Sequence, residues 1–267
     1  MKSRGKSKFL SRLCCPAGLS AALILLLLFQ PRQAAAMHLS EGILPLKWAL
    51  LWLAVAIPFV WLGLRRLKER SRNQPAFKPF LGIVGAAIFL ISAMPIPVPV
   101  AGSSSHPAGT GIAAIIVGPS MTVLISSITL LLQALFMAHV GLTSWGADVV
   151  SMGVVGSFAG YGVFLAMRKM KLPLLAAAFA AGLVGDWATY ATTSLELATA
   201  LHGSASIGGS FIALALAFSP TQVPLGLLEG FMSVGAISFL LKRRPEILLS
   251  LGIIKDLPGT SAMGVEI

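Results

Sequence analysis

Long apolar stretches alternate with short polar runs along the chain, at about 47–66, 78–95, 110–139, 146–167, 172–194 and 208–241. An α-helix rises about 1.5 Å per residue, so roughly 20 apolar residues cross a hydrocarbon layer about 30 Å thick. The stretch 110–139 is too long for one crossing, and Gly118-Pro119 interrupts it, because proline cannot continue a helix and restricts the residue before it. A short limb at 110–118 and a full span at 120–139 are therefore expected. The last stretch is also longer than one crossing. Its first part, 208–219, is expected to lie across or re-enter the outer half of the membrane, with Pro220 and Pro224 ahead of the final span. The pattern predicts an all-α polytopic membrane helix bundle of about seven spans. No internal repeat is legible, which weighs against inverted-repeat carriers.

The first segment reads differently. Residues 2–12 are basic, 17–29 are apolar, and Ala34-Ala35-Ala36 follow. A charged start, a short apolar run and small residues at a cleavage position make residues 1–36 a signal peptide, removed after Ala36. The competing reading, an uncleaved first span, is opposed by the shortness of the run and by Pro31-Arg32. Both cysteines, Cys14 and Cys15, leave with the leader, so the mature chain carries no disulfide, thiolate metal site or cysteine nucleophile.

Composition agrees with a membrane protein: 56% of residues are hydrophobic, 11% charged, and the mean hydropathy is +0.88. The net charge of +11 is topological. Beyond the leader, basic residues cluster at Arg65–Lys78, at Arg168–Lys171 and at Lys242–Arg244, between apolar segments. The positive-inside rule puts these clusters in the cytoplasm and Met37 outside, the side that leader removal also requires. The bundle is then N-out and C-in, with a membrane-embedded domain at 37–244 and a cytoplasmic tail at 245–267. Clusters set between spans are not a phosphate-binding face, so nucleic acid is excluded as a partner and the lipid bilayer is the surroundings.

The histidines carry the candidate chemistry. His38, His106, His139 and His202 all map to the outer side. Cleavage after Ala36 leaves His38 as the second residue of the mature chain. The Met37 amine, the His38 amide and the His38 imidazole can then close fused five- and six-membered chelate rings in one plane. A fourth nitrogen completes a square-planar site suited to Ni(II) or Cu(II) and accessible to low-spin Co(II). The loop V-A-G-S-S-S-H-P-A-G-T-G (100–111) puts His106 on the same side, in a backbone able to fold tightly. The plain alternatives are an exposed terminal His38 and a turn residue at His106. Ser104, Ser105 and His139 stand as candidate outer-shell residues, and His202 is unassigned.

Several stretches then carry a resemblance. M-H-L-S-E-G-I-L-P-L-K-W-A-L (37–50), G-S-S-S-H-P-A-G-T-G (102–111), Q-A-L-F-M-A-H-V-G-L-T-S-W-G-A-D (133–148), G-D-W-A-T-Y-A-T-T-S-L-E-L-A (185–198) and S-P-T-Q-V-P-L-G-L-L-E-G (219–230) resemble the CbiM/NikM family. Members are the substrate-capturing membrane subunits of energy-coupling-factor importers for Co²⁺ or Ni²⁺, and the S-x-S-H-P-x-G-T-G form resembles the cobalt branch. The resemblance implies metal ligation by Met37, His38 and His106, with Co²⁺, alternatively Ni²⁺, as the transported substrate and no organic cofactor. It also implies uptake across the cytoplasmic membrane in support of cobalamin biosynthesis. The implied partners are a transmembrane coupling subunit, cytoplasmic ATPase subunits and a small accessory membrane protein. The chain departs from the family pattern at Ser104, where cobalt-type members often carry Cys, at Glu196, where Gln is usual, and at A-L-H-G (200–203).

The chain has no G-x-x-x-x-G-K-[ST], so ATP hydrolysis belongs to partners, and no H-E-x-x-H or similar hydrolytic cluster marks it as an enzyme. Three acids lie in or near apolar segments. Intramembrane carboxylates are functional candidates by default. The structural readings are Asp148 capping the helix at 146–167, Asp186 hydrogen-bonding to neighbouring helices and Glu229 facing a partner subunit. A self-sufficient carrier with an ion path along Asp186 and Glu229 is the alternative to the importer subunit. Trp48, Trp52, Trp61 and Trp145 near span ends read as an interfacial belt.

Overall fold

A computed structural model of the chain describes residues 39, 41–94, 96–98, 103–137, 140–254 and 256. The expected leader at 1–36, Met37, His38 and His139 lie outside the described residues, as does the tail from 257. The described residues form eight helices and one small hairpin: α1 Leu46–Asn73, α2 Phe77–Ser92, β1 Ile96–Val98, β2 Ser103–Ser105, α3 Thr110–Val117, α4 Pro119–Met137, α5 Trp145–Lys169, α6 Leu174–Leu201, α7 Ile207–Arg243 and α8 Pro245–Ser250. The all-helical expectation holds apart from the hairpin, whose strands have three residues each.

Five helices, α1, α4, α5, α6 and α7, are long and apolar enough to cross a membrane, and α2 is a shorter apolar helix of 16 residues. Their outer faces carry the apolar side chains expected against lipid, among them Ile83, Leu90, Phe136, Leu216, Phe231 and Phe239. The break at Gly118-Pro119 occurs where expected: Gly118 turns with φ +87° between α3 and α4. With eight residues, α3 is a limb of about 12 Å rather than a crossing.

The expected division of 208–241 does not occur, and with it goes one of the spans in the count of seven. α7 is continuous over 37 residues, with Pro220 and Pro224 inside it. Proline removes a backbone donor, but here other donors reach the helix carbonyls. Ser219 Oγ donates to Leu216 O at 2.9 Å, the carbonyl that Pro220 leaves free. From α6, the Tyr190 hydroxyl donates to Ala215 O and Trp187 Nε1 donates to Gln222 O at 3.2 Å. A side-chain hydroxyl thus replaces the donor that Pro220 removes, α6 adds hydrogen bonds along the same stretch, and the helix continues through both prolines.

The centre of the bundle is α3, which is buried at every residue but Ile116 and packs on α4, α5 and α6. α6 packs along α7 and α5. The first half of α5 includes a π-helical stretch, Val149–Gly156, buried against α4 and α6. Close approach relies on missing side chains: a Cβ on Gly111 would stand 2.6 Å from Ala181 O, and one on Gly182 2.5 Å from Glu229 O.

The expected tail begins with a helix. α8 turns back on the bundle and seats Leu248, fully buried, in a cluster with Ile115, Phe164, Ala177 and Ile237. Gly252, at φ +71°, closes α8: its N–H donates to Leu249 O and that of Ile253 to Leu248 O, both at 2.9 Å. The tryptophans divide between surface and core. Trp61 is 54% exposed and stacks with Arg65, whereas Trp52 and Trp145 pack on the main core, Trp145 Nε1 donating to Ser127 O at 3.0 Å.

Candidate metal centre

The hairpin delivers the His106 loop. β1 and β2 pair antiparallel with Ile96 opposite Ser105 and Val98 opposite Ser103, so the chain leaves β2 at Ser105 directly into His106. Ser104 and Ser105 lie in β2. His106 is fully buried, with Nδ1 3.2 Å from Pro107 O. Beyond Pro107 the loop is fixed from across the bundle: the N–H groups of Ala108 and Gly109 both donate to Glu229 Oε1, the latter at 2.8 Å. Gly109 has φ +69°, a conformation that disfavours a side chain, and a Cβ there would stand 2.9 Å from Ile88 Cδ1. Thr110 then opens α3. The histidine is therefore held just ahead of a buried helix, in a turn whose Ala108 and Gly109 N–H groups are satisfied by a carboxylate.

The segment around Leu39 is held in the same manner. Leu39 directly follows His38. Its N–H donates to Asp148 Oδ1 at 3.0 Å, and its carbonyl accepts from Gly141 N at 3.0 Å and from the Ser144 hydroxyl. Its side chain is buried with Leu44, Ala49, Ala147 and Leu197. Two residues on, Glu41 accepts the Thr143 N–H at 3.2 Å, and hydrogen bonds from the Thr143 side chain and backbone hold this exposed carboxyl below its ordinary range. Gly141 admits this approach: a Cβ there would stand 2.6 Å from Glu41 N.

Asp148 is thus not the cap of the helix, which starts at Trp145 with Ser144 before it; Asp148 sits inside the first turn and ties down Leu39. Glu229 does not face a partner. It is fully buried and holds the His106 loop. Asp186 is fully buried, and neither of its carboxylate oxygens has a hydrogen-bond partner among the described residues, so the expected bonds to neighbouring helices do not form. His202 is at the end of α6, far along the chain from this loop, with Nδ1 3.0 Å from Gly203 O. Among the described residues no three His, Cys, Asp or Glu side chains converge as a metal site; His106 is the one expected ligand that is described.

Sequence reasoning missed Ser144, Thr143 and the burial of Glu196. Glu196 is fully buried within electrostatic reach of Asp148. Only its place in an apolar stretch could have marked it. The hydroxyls of the same helix carry no such signal, because Thr189, Thr193 and Ser194 donate to carbonyls one turn back, at 2.9, 3.2 and 3.0 Å.

A polytopic α-helical membrane protein, with a histidine-bearing loop sealed into its interior and braced by an intramembrane carboxylate, is the class that this fold and site define. Residues 38–247 match the CbiM family, described as the cobalt uptake substrate-specific transmembrane region. The chain belongs to the CbiM family. It is 56% identical over 221 residues to the cobalt transport protein CbiM of Geobacter sulfurreducens, covering 83% of this chain and 64% of that one. It is 53% identical over 225 residues to the cobalt transport protein CbiM of Sorangium cellulosum, covering 84% of this chain and 100% of that one. The chain therefore spans just under two thirds of the Geobacter protein and the full length of the Sorangium one. The fold is shared with a crystal structure of a transition metal transporter, at TM-score 0.67 and 20% identity, covering 81% of this chain and 99% of that one. A truncated transition metal transporter aligns at TM-score 0.66 and 22% identity, over 77% of this chain and 98% of the other.

Proposed function

We propose that this chain is the metal-capturing membrane subunit of an ATP-driven importer that brings Co²⁺ across the bacterial cytoplasmic membrane, in support of cobalamin synthesis. The observation that carries this reading is the double bracing of the segments beside the expected ligands: Leu39 tied to Asp148 and Ser144, and the His106 loop tied to Glu229. Both segments flank expected ligands, and neither brace uses a ligand nitrogen. In this reading residues 1–36 are cleaved, and the Met37 amine, the His38 amide and imidazole and His106 hold the ion at the outer face. His139, Ser104 and Ser105 lie outside that ligand set and shape its surroundings. The chain is N-out and C-in and hydrolyses no ATP itself. A transmembrane coupling subunit, ATPase subunits and a small accessory membrane protein drive release inward.

A planar nitrogen chelate depends on the terminal amine being one residue before His38. Protein beginning at Met37 is expected to carry close to one Co per chain by elemental analysis, and a version with one Ala inserted ahead of Met37 is expected to lose most of it. Ni in place of Co would reassign the cargo within the same chemistry. Equal metal in both versions would overturn the terminal-amine site.

A further inference from the structure

One buried group has no place in that reading. Asp186 lies near the middle of α6, and Glu229 comes from α7. The two carboxylates interact electrostatically. The helices meet backbone to side chain on either side of Asp186, at Gly182 against Glu229 and Ser233, and at Trp187 against Gly226. Glu229 spends one oxygen on Ala108 and Gly109, while Oε2 has no hydrogen-bond partner among the described residues. No Lys or Arg is among the buried residues described, so no basic side chain neutralises the pair.

A third group points the same way and is not an acid. Thr110, which follows Gly109, is fully buried, and its hydroxyl lacks a hydrogen-bond partner among the described residues. That hydroxyl and the Gly185 carbonyl each lie 3.1 Å from the point where a Cβ on Gly156 would stand, with Thr189 Oγ1 also beside it, so Thr110 reaches the seam between α5 and α6 at the level of Gly185, the residue before Asp186. Four buried oxygens without a hydrogen-bond partner among the described residues thus come from three helices that pack together: both of Asp186, one of Glu229 and one of Thr110. Leaving so many polar atoms unpaired is costly in a bilayer interior unless something satisfies them.

We propose that Asp186, Glu229 and Thr110 form a second, oxygen-lined station for the divalent cation, at the base of the His106 loop and deeper in the bundle than the Leu39 brace. Two carboxylates match the charge of one divalent ion, and Thr110 adds a neutral oxygen. Ten residues of α6 separate Asp186 from Glu196, which is beside the Leu39 brace, a step of roughly 15 Å along the helix axis. Hard oxygen donors hold a late first-row ion less tightly than a nitrogen chelate, so this station takes the ion weakly enough to pass it on. The inference takes from the proposed function only that the cargo is a divalent metal ion; the outer ligands can be reassigned without affecting it.

The test is a titration of the full purified chain with Co²⁺ alone, followed by calorimetry and visible absorption. Two classes of site are expected: one tight, and one weaker by about a hundredfold or more with the weak absorption of oxygen-ligated Co²⁺. Asp186→Asn is expected to abolish the weak class and leave the tight one. Thr110→Val keeps both charges and is expected to weaken the second class by about fivefold, with the first unchanged. A single class in the unaltered chain, or a weak class that survives Asp186→Asn, overturns the proposal. Loss of the weak class on Asp186→Asn, together with metal unaffected by the N-terminal Ala, would sustain this station while the terminal-amine site fails.

Discussion

Single side chains hold the two ends of the candidate centre, and their roles separate cleanly. Glu229 accepts two main-chain N–H groups of the His106 loop. Truncating it leaves both buried donors unsatisfied, at a cost of about 1–3 kcal/mol for each group. Glu229→Ala is therefore expected to lower stability by about 2–5 kcal/mol, whereas Glu229→Gln, which keeps an acceptor oxygen, costs about half as much or less; thermal unfolding in detergent reads the difference. Thr143 does a smaller service for Glu41. The folded carboxyl sits below its ordinary value of 4.5, so its contribution to stability is present above that pH and disappears as pH falls through the lowered folded value. Thr143→Val is expected to return the Glu41 titration toward 4.5, followed by NMR of the labelled carboxyl. Of this scale, the sequence conveys the histidines well, because a Gly/Ser/Pro loop with one His is a local pattern. The brace from Asp148 to Leu39 spans 109 residues and joins a side chain to a main-chain N–H. No local pattern can announce it.

At the scale of elements, apolar periodicity and proline placed α2, α3, α4 and α5 within a few residues, and the turn at Gly118 came out as read. Where the reading failed, the cause was the surroundings. Pro220 and Pro224 stop helices in water, where a freed carbonyl is readily solvated and nothing else holds the chain straight. Against α6, Tyr190 and Trp187 supply donors to the same stretch, and α7 continues. The π-helical stretch of α5 and the docking of α8 were equally illegible, since both depend on what packs against them. The position of α3 depends on contact without side chains. At Gly111 the backbone of α3 lies against Ala181 O of α6, so Gly111→Val has to push the two helices apart. It is expected to cost about 1–3 kcal/mol and, by shifting α3, to lower Co²⁺ occupancy as well. A stable, fully loaded Gly111→Val protein would show that α3 does not need this contact to present the His106 loop.

For the whole molecule, the direction of capture follows from which end of the bundle faces outward. The described basic residues Arg65, Arg66, Arg168, Lys169, Lys242 and Arg243 are exposed at one set of helix ends, while the Leu39 brace and the start of α5 belong to the other, as the alternation of α5, α6 and α7 requires. The positive-inside rule assigns the first set to the cytoplasm. Both cysteines of the chain lie at positions 14 and 15, so a mature chain that starts at Met37 offers a cysteine-free background. Single replacements Ser204→Cys, in the turn between α6 and α7, and Lys169→Cys, at the end of α5, lie at exposed residues on opposite sides of the proposed topology. A membrane-impermeant maleimide applied to intact cells is expected to label Ser204→Cys and to reach Lys169→Cys only after the membrane is opened. The reverse pattern would put the His106 loop toward the cytoplasm, and a chain so oriented would release metal where it is proposed to capture it. The orientation is therefore the one global property on which the capture reading depends, and it can be read without any metal present.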